Sequence, residues 1–440
     1  MIQNSSIPAF QHSKSPSLHF IGIGGCGMNG VAQLAACPAG GLGAHAGYSV
    51  SGSDRAEGLD IFRTLENLGI TIVPQDGSGI TEATDFVVYS TAIEQDNPDL
   101  VRARELGIPQ LHRAEMLAKL CEGKEVIAVA GTAVKSTVTG LLGHIFQCLD
   151  KDPTVYCGAS MNNFGSSVRV GKSNLWIIEA DESDKSFLHF HPDHAIITNI
   201  AEDHFELSEL RKLFAQFKSH VTGTVIEQPE SFAAPSALIG KHNIENINNA
   251  LTLCKVLGLD MEKCLAAIVS FKGIERRLER VGPKVIDDFA HSPIKIAAAL
   301  EAVSGEFETF NVVWRPHGYT PLFQGLEAFV ECFSEFSNAH PTCKVFILPV
   351  YYAGGTVEKK ITSEQFVEKL QAAGVPVEFV ETIYPAKNKM SGGSLLRQGF
   401  GGQAASLEKR LIDAGQPVLV MGARDPELPN FARRLASQLG

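Results

Sequence analysis

The sequence predicts an α/β protein of three domains, and three observations carry that reading. Short apolar runs of strand length end repeatedly in glycine-rich or acidic turns, each followed by apolar residues at helical spacing. The pattern starts afresh near residues 18, 126 and 284. At 440 residues, the chain exceeds what one hydrophobic core ordinarily serves. The expected boundaries are 1–120, 121–281 and 282–440.

The first segment opens with the strand Leu18–Ile23, followed by Gly24-Gly25-Cys26-Gly27-Met28-Asn29-Gly30 and an apolar helix around Val31–Ala35. Gly22, Gly24 and Gly27 fit G-x-G-x-x-G in the strand-to-helix setting where a backbone can approach a phosphate closely. A tight turn without function fits the same residues. The strand Tyr48–Ser53 ends at Asp54, where a Rossmann unit often places an acid near a ribose. Phe86–Thr91 is a further strand, and Ser90 and Thr91 at its carboxyl end are placed to meet a ligand. Cys37–Gly47 reads as a Gly/Ala loop insertion without chemistry.

The second segment holds the most informative stretch, Val126–Gly140. Five apolar residues are broken by Gly131-Thr132, and Lys135-Ser136-Thr137 opens a helix with Val138, Leu141, Leu142, Ile145 and Phe146 on one face. Strand, tight turn, Lys-Ser/Thr and helix form the layout of a phosphate-binding loop: helix-start N–H groups meet an anion, the lysine adds charge, and a hydroxyl can ligate Mg²⁺. Val134 departs from the pattern, because glycine usually stands there. We expect it to keep negative φ with its side chain turned away, and Lys135 to lie exposed in a cleft. The strand Leu175–Ala180 runs into Asp181-Glu182-Ser183-Asp184, giving four carboxylates with Glu179 that a cation or solvent must relieve. His194–Ile200 leads to Glu202-Asp203-His204 in the same way. Glu179 and His204 at two strand ends near Lys135 would make a Mg²⁺–ATP site. A solvated acidic turn is the plainer alternative. Gly240–Asn246 opens a helix whose asparagines can read a base or ribose edge. Arg276-Arg277 could clamp an anion, although a surface basic pair explains them equally.

The third segment alternates strands (Lys284–Asp288, Phe310–Trp314, Lys344–Pro349, Pro376–Val380, Pro417–Met421) with helices, including one expected over Leu322–Phe336. Asp287, Asp288 and His291, Arg315 and His317, and Arg424 and Asp425 gather at strand ends. Ser391–Gln403 is a Gly-rich insertion with no assigned role.

Composition limits the function classes. A net charge of −11 argues against a general nucleic-acid or membrane surface, and no apolar run is long enough to span a bilayer. Nine cysteines without a CxxC pair argue for a reducing, cytosolic setting without structural zinc. The first seventeen residues lack the apolar core of a signal peptide.

Taken in order, Gly22-x-Gly-Gly-x-Gly-Met28, Tyr89–Ile93 with Asp96–Pro98, Arg113–Leu117, Glu179–Asp184, Thr198–His204, His242–Asn246, Gly273–Arg277, Asp287–His291 and Pro316-His317 resemble the motif set of the Mur ligases of peptidoglycan synthesis. The resemblance is nearest to those that join L-alanine to UDP-N-acetylmuramate, and it covers roughly residues 18–438. It implies a UDP-binding domain, a central P-loop-type ATPase domain and a C-terminal Rossmann-like domain that helps hold amino acid and nucleotide. ATP and Mg²⁺ would be the cofactors, and UDP-N-acetylmuramate and L-alanine the substrates, with no nucleic acid or membrane partner. By position in the motifs, Gly24, Gly25, Gly27, Ser90 and Thr91 would bind the UDP substrate. Gly131, Thr132, Lys135, Ser136, Thr137 and Asn246 would bind ATP, and Ser136, Glu179 and His204 Mg²⁺. Lys135, Glu179, His204, Arg277, Asp288 and His291 would carry catalysis.

Departures leave other readings open. Ala133-Val134 replaces two loop residues, and Pro316-His-Gly-Tyr-Thr-Pro321 lacks the family's two arginines. Gln75-Asp-Gly77 stands where a Gly-His element belongs, and the stretch from His204 to Gly240 is short. A ligase recycling murein tripeptide, or a catalytically impaired Mur-fold protein binding a UDP-sugar, fits these departures. A nicotinamide oxidoreductase would explain the first glycine motif but neither Lys135 nor Glu179.

Overall fold

The structure is a computed structural model and describes residues 15–37, 47–201, 205–352, 358–383 and 406–440. The described chain builds three mainly parallel sheets with helices between their strands. β1 (Ser17–Ile21), β2 (Ser49–Asp54), β3 (Thr71–Pro74), β4 (Phe86–Tyr89) and β5 (Gln110–His112) pair in the order β3-β2-β1-β4-β5, all parallel. β6 (Glu125–Ala130), β7 (Thr154–Met161), β8 (Ser166–Arg169), β9 (Leu175–Glu179), β10 (His194–Ile197) and β11 (Val225–Ile226) pair in the order β11-β10-β6-β9-β7-β8. Only β8 in this sheet is antiparallel to its neighbour. β12 (Glu279–Gly282), β13 (Val285–Asp288), β14 (Asn311–Arg315), β15 (Lys344–Ile347), β16 (Val377–Phe379) and β17 (Val418–Gly422) form the third, in the order β12-β13-β17-β14-β15-β16.

These sheets fall into two compact units. The first joins 1–237 with 244–274, and the second joins 238–243 with 275–440. The first contains two sheets because one apolar core runs through both: Leu18, Phe20, Met28 and Val31 belong to the same cluster as Tyr156, Val168, Trp176 and Phe187. Strands buried on both faces read as near-continuous apolar runs, as in Val126–Ala130 and Leu175–Ile178. β7 was not anticipated. Its sequence, Thr-Val-Tyr-Cys-Gly-Ala-Ser-Met, mixes small and polar residues because its second half lies against a polar site rather than a core.

In the second unit, the buried ring of Trp314 packs against Phe329, Phe333 and Phe366. The helix expected over Leu322–Phe336 is in fact two, Tyr319–Gln324 and Leu326–Ala339. They meet at Gly325, where a Cβ would stand 2.8 Å from the Phe329 ring. The short stretch after His204 still yields a six-stranded central sheet, with β11 reduced to two residues. The insertion Ser391–Gln403 and most of Cys37–Gly47 lie outside the described residues.

Candidate functional site

The glycine turn after β1 is fixed from below by β2. Gly22, at φ 73°, and Ile23 both donate their N–H to Ser53 O, at 2.8 and 2.9 Å. Asp54 Oδ2 accepts from Gly24 N at 2.8 Å, and Asp54 Oδ1 from Ala56 N at 2.9 Å. The acid thus holds the turn open. Gly24 must lack a side chain, because a Cβ there would stand 2.9 Å from Asp54 Oδ2. Gly25 precedes the helix Cys26–Ala36, whose first N–H groups face the turn. Ser90 and Thr91 follow β4, parallel and adjacent to β1, so they share its carboxyl edge; Ser90 is half-buried and Thr91 exposed.

The loop after β6 is braced by the chain after β10. Thr132 N donates to Asn199 O at 3.1 Å, Ala133 N to Asn199 Oδ1 at 2.9 Å, and Ala201 N to Thr132 Oγ1 at 3.0 Å. Thr198 Oγ1 donates to Ala133 O at 2.7 Å. Gly131 sits at φ 139°, and a Cβ there would run into Thr198 Oγ1. Val134 overturns the expectation of negative φ: it is left-handed, at φ 56° and ψ 8°, directly before the helix Lys135–Cys148. The loop keeps the curve that glycine usually provides, at a cost of roughly 1–2 kcal/mol for an L-residue. For a β-branched residue this conformation is rare.

Lys135 is not exposed in a cleft as expected; its side chain is 12% exposed. Nζ donates to Gly131 O at 2.9 Å and to Glu182 Oε2 at 2.5 Å, with Asp181 Oδ1 at 3.4 Å. Burial disfavours its charge, but Asp181, Glu182 and Glu179 outweigh that and hold its pKa above the ordinary lysine value. The lysine therefore supplies much of the cation that the acidic turn requires. Asp184 is used otherwise, accepting from Ser186 N at 2.9 Å and lying 3.6 Å from His112 Nε2.

Glu179 ends β9, and its Oε2 accepts from Gly158 N at 2.7 Å. Cys157 Sγ lies 3.6 Å from the same oxygen and 3.5 Å from Ser136 O. Ser136 and Thr137 occupy the first turn of the loop's helix, both largely buried. The first unit thus brings together Gly131, Thr132, Lys135, Ser136 and Glu179. His204 lies outside the described residues. Asn246 is buried within the helix Lys241–Val256. Among the described residues, no three His, Cys, Asp or Glu side chains could hold a metal by themselves. Ser136 and Glu179 fit the case in which phosphate oxygens and water complete a Mg²⁺ shell.

In the second unit, Asp288 is an anchor. Its two oxygens accept from Leu278 N and Ala290 N, each at 2.7 Å. Arg277 lies over the Phe289 ring at 5.4 Å. His291 Nδ1 lies 2.9 Å from Phe289 O, and its ring meets His317 edge to face at 4.7 Å. Burial, with the charges of His291, Arg424 and Lys295 nearby, pushes His317 down to about 4. Arg276 pairs with buried Asp287 at 3.2 Å, and Arg315 with buried Asp425 at 2.6 Å, so these strand-end arginines are occupied within the fold.

Several site residues received no role from the sequence. Thr198 and Asn199 brace the loop, and their place just past a strand end was the available signal. Arg113 and Tyr156 bond at 2.7 Å beside the glycine turn. Tyr156 carried no signal because β7 was not read as a strand.

Residues 17–125 match the model of the Mur ligase family, catalytic domain. A UDP-N-acetylmuramate–L-alanine ligase of Methylorubrum populi is 31% identical over 424 residues, covering 81% of this chain and 87% of that protein. One of Rhizobium meliloti is 30% identical over 475 residues, covering 90% and 97%. In fold, the chain is similar to a crystal structure of UDP-N-acetylmuramate–alanine ligase from Thermotoga maritima, with a TM-score of 0.72, 24% identity, and coverage of 96% and 98%. A murein peptide ligase from Psychrobacter arcticus gives a TM-score of 0.59 at 18% identity, covering 97% and 99%. The chain belongs to the Mur ligase family.

Proposed function

We propose that this protein is an ATP-dependent ligase that joins L-alanine to UDP-N-acetylmuramate in peptidoglycan synthesis. The observation that carries the reading is the loop Gly131–Ser136, with Lys135 at the helix start facing Glu179, Asp181 and Glu182. A carboxylate is a poor electrophile. Transfer of the γ-phosphoryl group of ATP to it gives an acyl phosphate and ADP. The amine of L-alanine then attacks the acyl carbon, the C–O bond to phosphate breaks, and the amide forms with loss of a proton and release of phosphate.

In this reading Gly24, Gly25, Gly27, Ser90 and Thr91 hold the UDP-sugar. Gly131, Thr132 and Thr137 line the nucleotide phosphates, and Asn246 lies toward the base. Lys135 must leave Glu182 for a phosphate oxygen, an exchange of one anion for another that keeps its charge compensated. Mg²⁺ bound by Ser136 and Glu179, with His204, would neutralise charge on the transferring phosphoryl group. Arg277, Asp288 and His291 keep the roles the resemblance implies, with Asp288 acting by holding backbone. No helix among the described residues is long and apolar enough to cross a membrane. A cytoplasmic setting suits the use of ATP and nine cysteines with none in a disulfide.

Phosphate release from ATP, measured with and without UDP-N-acetylmuramate and L-alanine, tests the reading. Release is expected only with both present. Release with murein tripeptide in place of L-alanine would support the recycling reading, which the missing arginines around Gly318 and Pro321 favour. Absence of release under every condition would leave a Mur-fold binding protein.

A further inference from the structure

Three consecutive residues of β7 connect the glycine turn to the loop after β6 and to Glu179. Tyr156 Oη donates to Gly27 O at 3.0 Å and accepts from Arg113 Nη1 at 2.7 Å. Cys157 Sγ reaches Ser136 O and Glu179 Oε2, at 3.5 and 3.6 Å. Gly158 donates its N–H to Glu179 Oε2 at 2.7 Å, and its carbonyl accepts from Cys26 Sγ at 3.3 Å. Arg113, Tyr156, Glu179 and Asp181 line one small recess.

The glycines of the first turn fit these neighbours. A Cβ on Gly27 would collide with Arg113 Nη1, and one on Gly30 would stand 2.9 Å from Tyr156 Cε2. Gly158 obeys the same rule, since a Cβ there would meet Glu179 Oε1 at 2.8 Å. Burial also keeps the Tyr156 phenol protonated, pushing it up to about 12, so its hydroxyl remains a donor to Gly27 at neutral pH.

We propose that Tyr156 is a positioning residue that fixes the glycine turn and Arg113 against the strand holding Glu179, so that nucleotide-sugar binding is set by β7. The proposal rests on the ligase reading for the identity of the nucleotide sugar. The Glu179 side is held by Cys157 Sγ and Gly158 N, neither of which uses the Tyr156 hydroxyl. Loss of the Tyr156 hydroxyl should therefore disturb the sugar side alone.

Titration calorimetry of the full chain with UDP-N-acetylmuramate, and separately with ATP, tests this. Tyr156→Phe keeps the ring against Gly30 and removes both hydroxyl bonds. It should weaken UDP-N-acetylmuramate binding about tenfold, the scale of a hydrogen bond to a charged partner, while ATP binding stays within about twofold. Gly27→Ala pushes on the same guanidinium and should reproduce the split. The double variant should lose less than the product of the two effects, because both act through one contact. Unchanged sugar binding in Tyr156→Phe, or equal weakening toward both ligands, overturns the proposal. If the wild-type chain binds the sugar without turnover, the ligase reading fails while the role of Tyr156 still stands on the binding data. If it does not bind the sugar, both fail.

Discussion

Lys135 Nζ stands 2.5 Å from Glu182 Oε2, and both side chains are largely buried. The lysine that opens the helix after β6 is paired with a carboxylate. The pairing compensates charge in the acidic turn, and the carboxylates keep the lysine protonated.

Lys135→Ala should abolish ATP turnover. It should also cost stability, about 3–5 kcal/mol, because Glu182 is left buried without its partner. Burial already raises the Glu182 pKa, against the pull of Lys135. A carboxyl raised in the folded state contributes stability at low pH and loses it as pH rises through the folded value. The deficit should therefore be smaller at pH 5 than at pH 8. Urea unfolding at both values checks this, and an equal deficit would contradict it.

Val134→Gly relieves a left-handed β-branched residue. The relief of roughly 1–2 kcal/mol is partly offset by the 0.5–1 kcal/mol or so that glycine's extra unfolded freedom costs. A net gain near 0.5–1 kcal/mol is expected in denaturant unfolding. ATP affinity should change less than about tenfold, or about 1.4 kcal/mol, because the loop already has its curve. A larger gain would show that the side chain obstructs the phosphates.

Glu179→Gln keeps an oxygen for Gly158 N and removes the charge. The Mg²⁺ concentration needed for half-maximal phosphate release should rise by about tenfold or more, the scale seen when a metal's surroundings are disturbed. An unchanged requirement would remove Glu179 from the metal.

His317 is held near 4, against an ordinary value of 6.5. Between those values the unfolded chain binds the proton that the folded chain refuses, so stability falls as pH drops from 6.5 toward 4. His317→Gln should reduce the loss between pH 7 and pH 5 by an amount of order 1 kcal/mol, discounted for the partial exposure of the ring. Identical losses in variant and wild type would contradict the assignment.

The sequence by itself determined the class of fold and which residue types stand at the strand ends. Short apolar runs bounded by turn residues, such as Val126–Ala130 and Leu175–Ile178, read as buried strands, and Gly131, Lys135 and Ser136 soon after one of them are local features of the chain. The motif order also determined the family. Only tertiary structure decided what each charged group faces. Lys135 meets Glu182 because β9 lies beside β6, a pairing between residues far apart in the chain. Asp54 and Asp288 turned out to be occupied by backbone N–H groups. The φ of Val134 was not legible either, since intrinsic preference points to negative φ. Bracing of the loop by Thr198 and Asn199, and the fixed start of the helix at Lys135, override that preference. The role of Tyr156 depends on the packing of β7 against the helix Cys26–Ala36, whose separation in sequence hides the contact that makes Gly27 and Gly30 necessary.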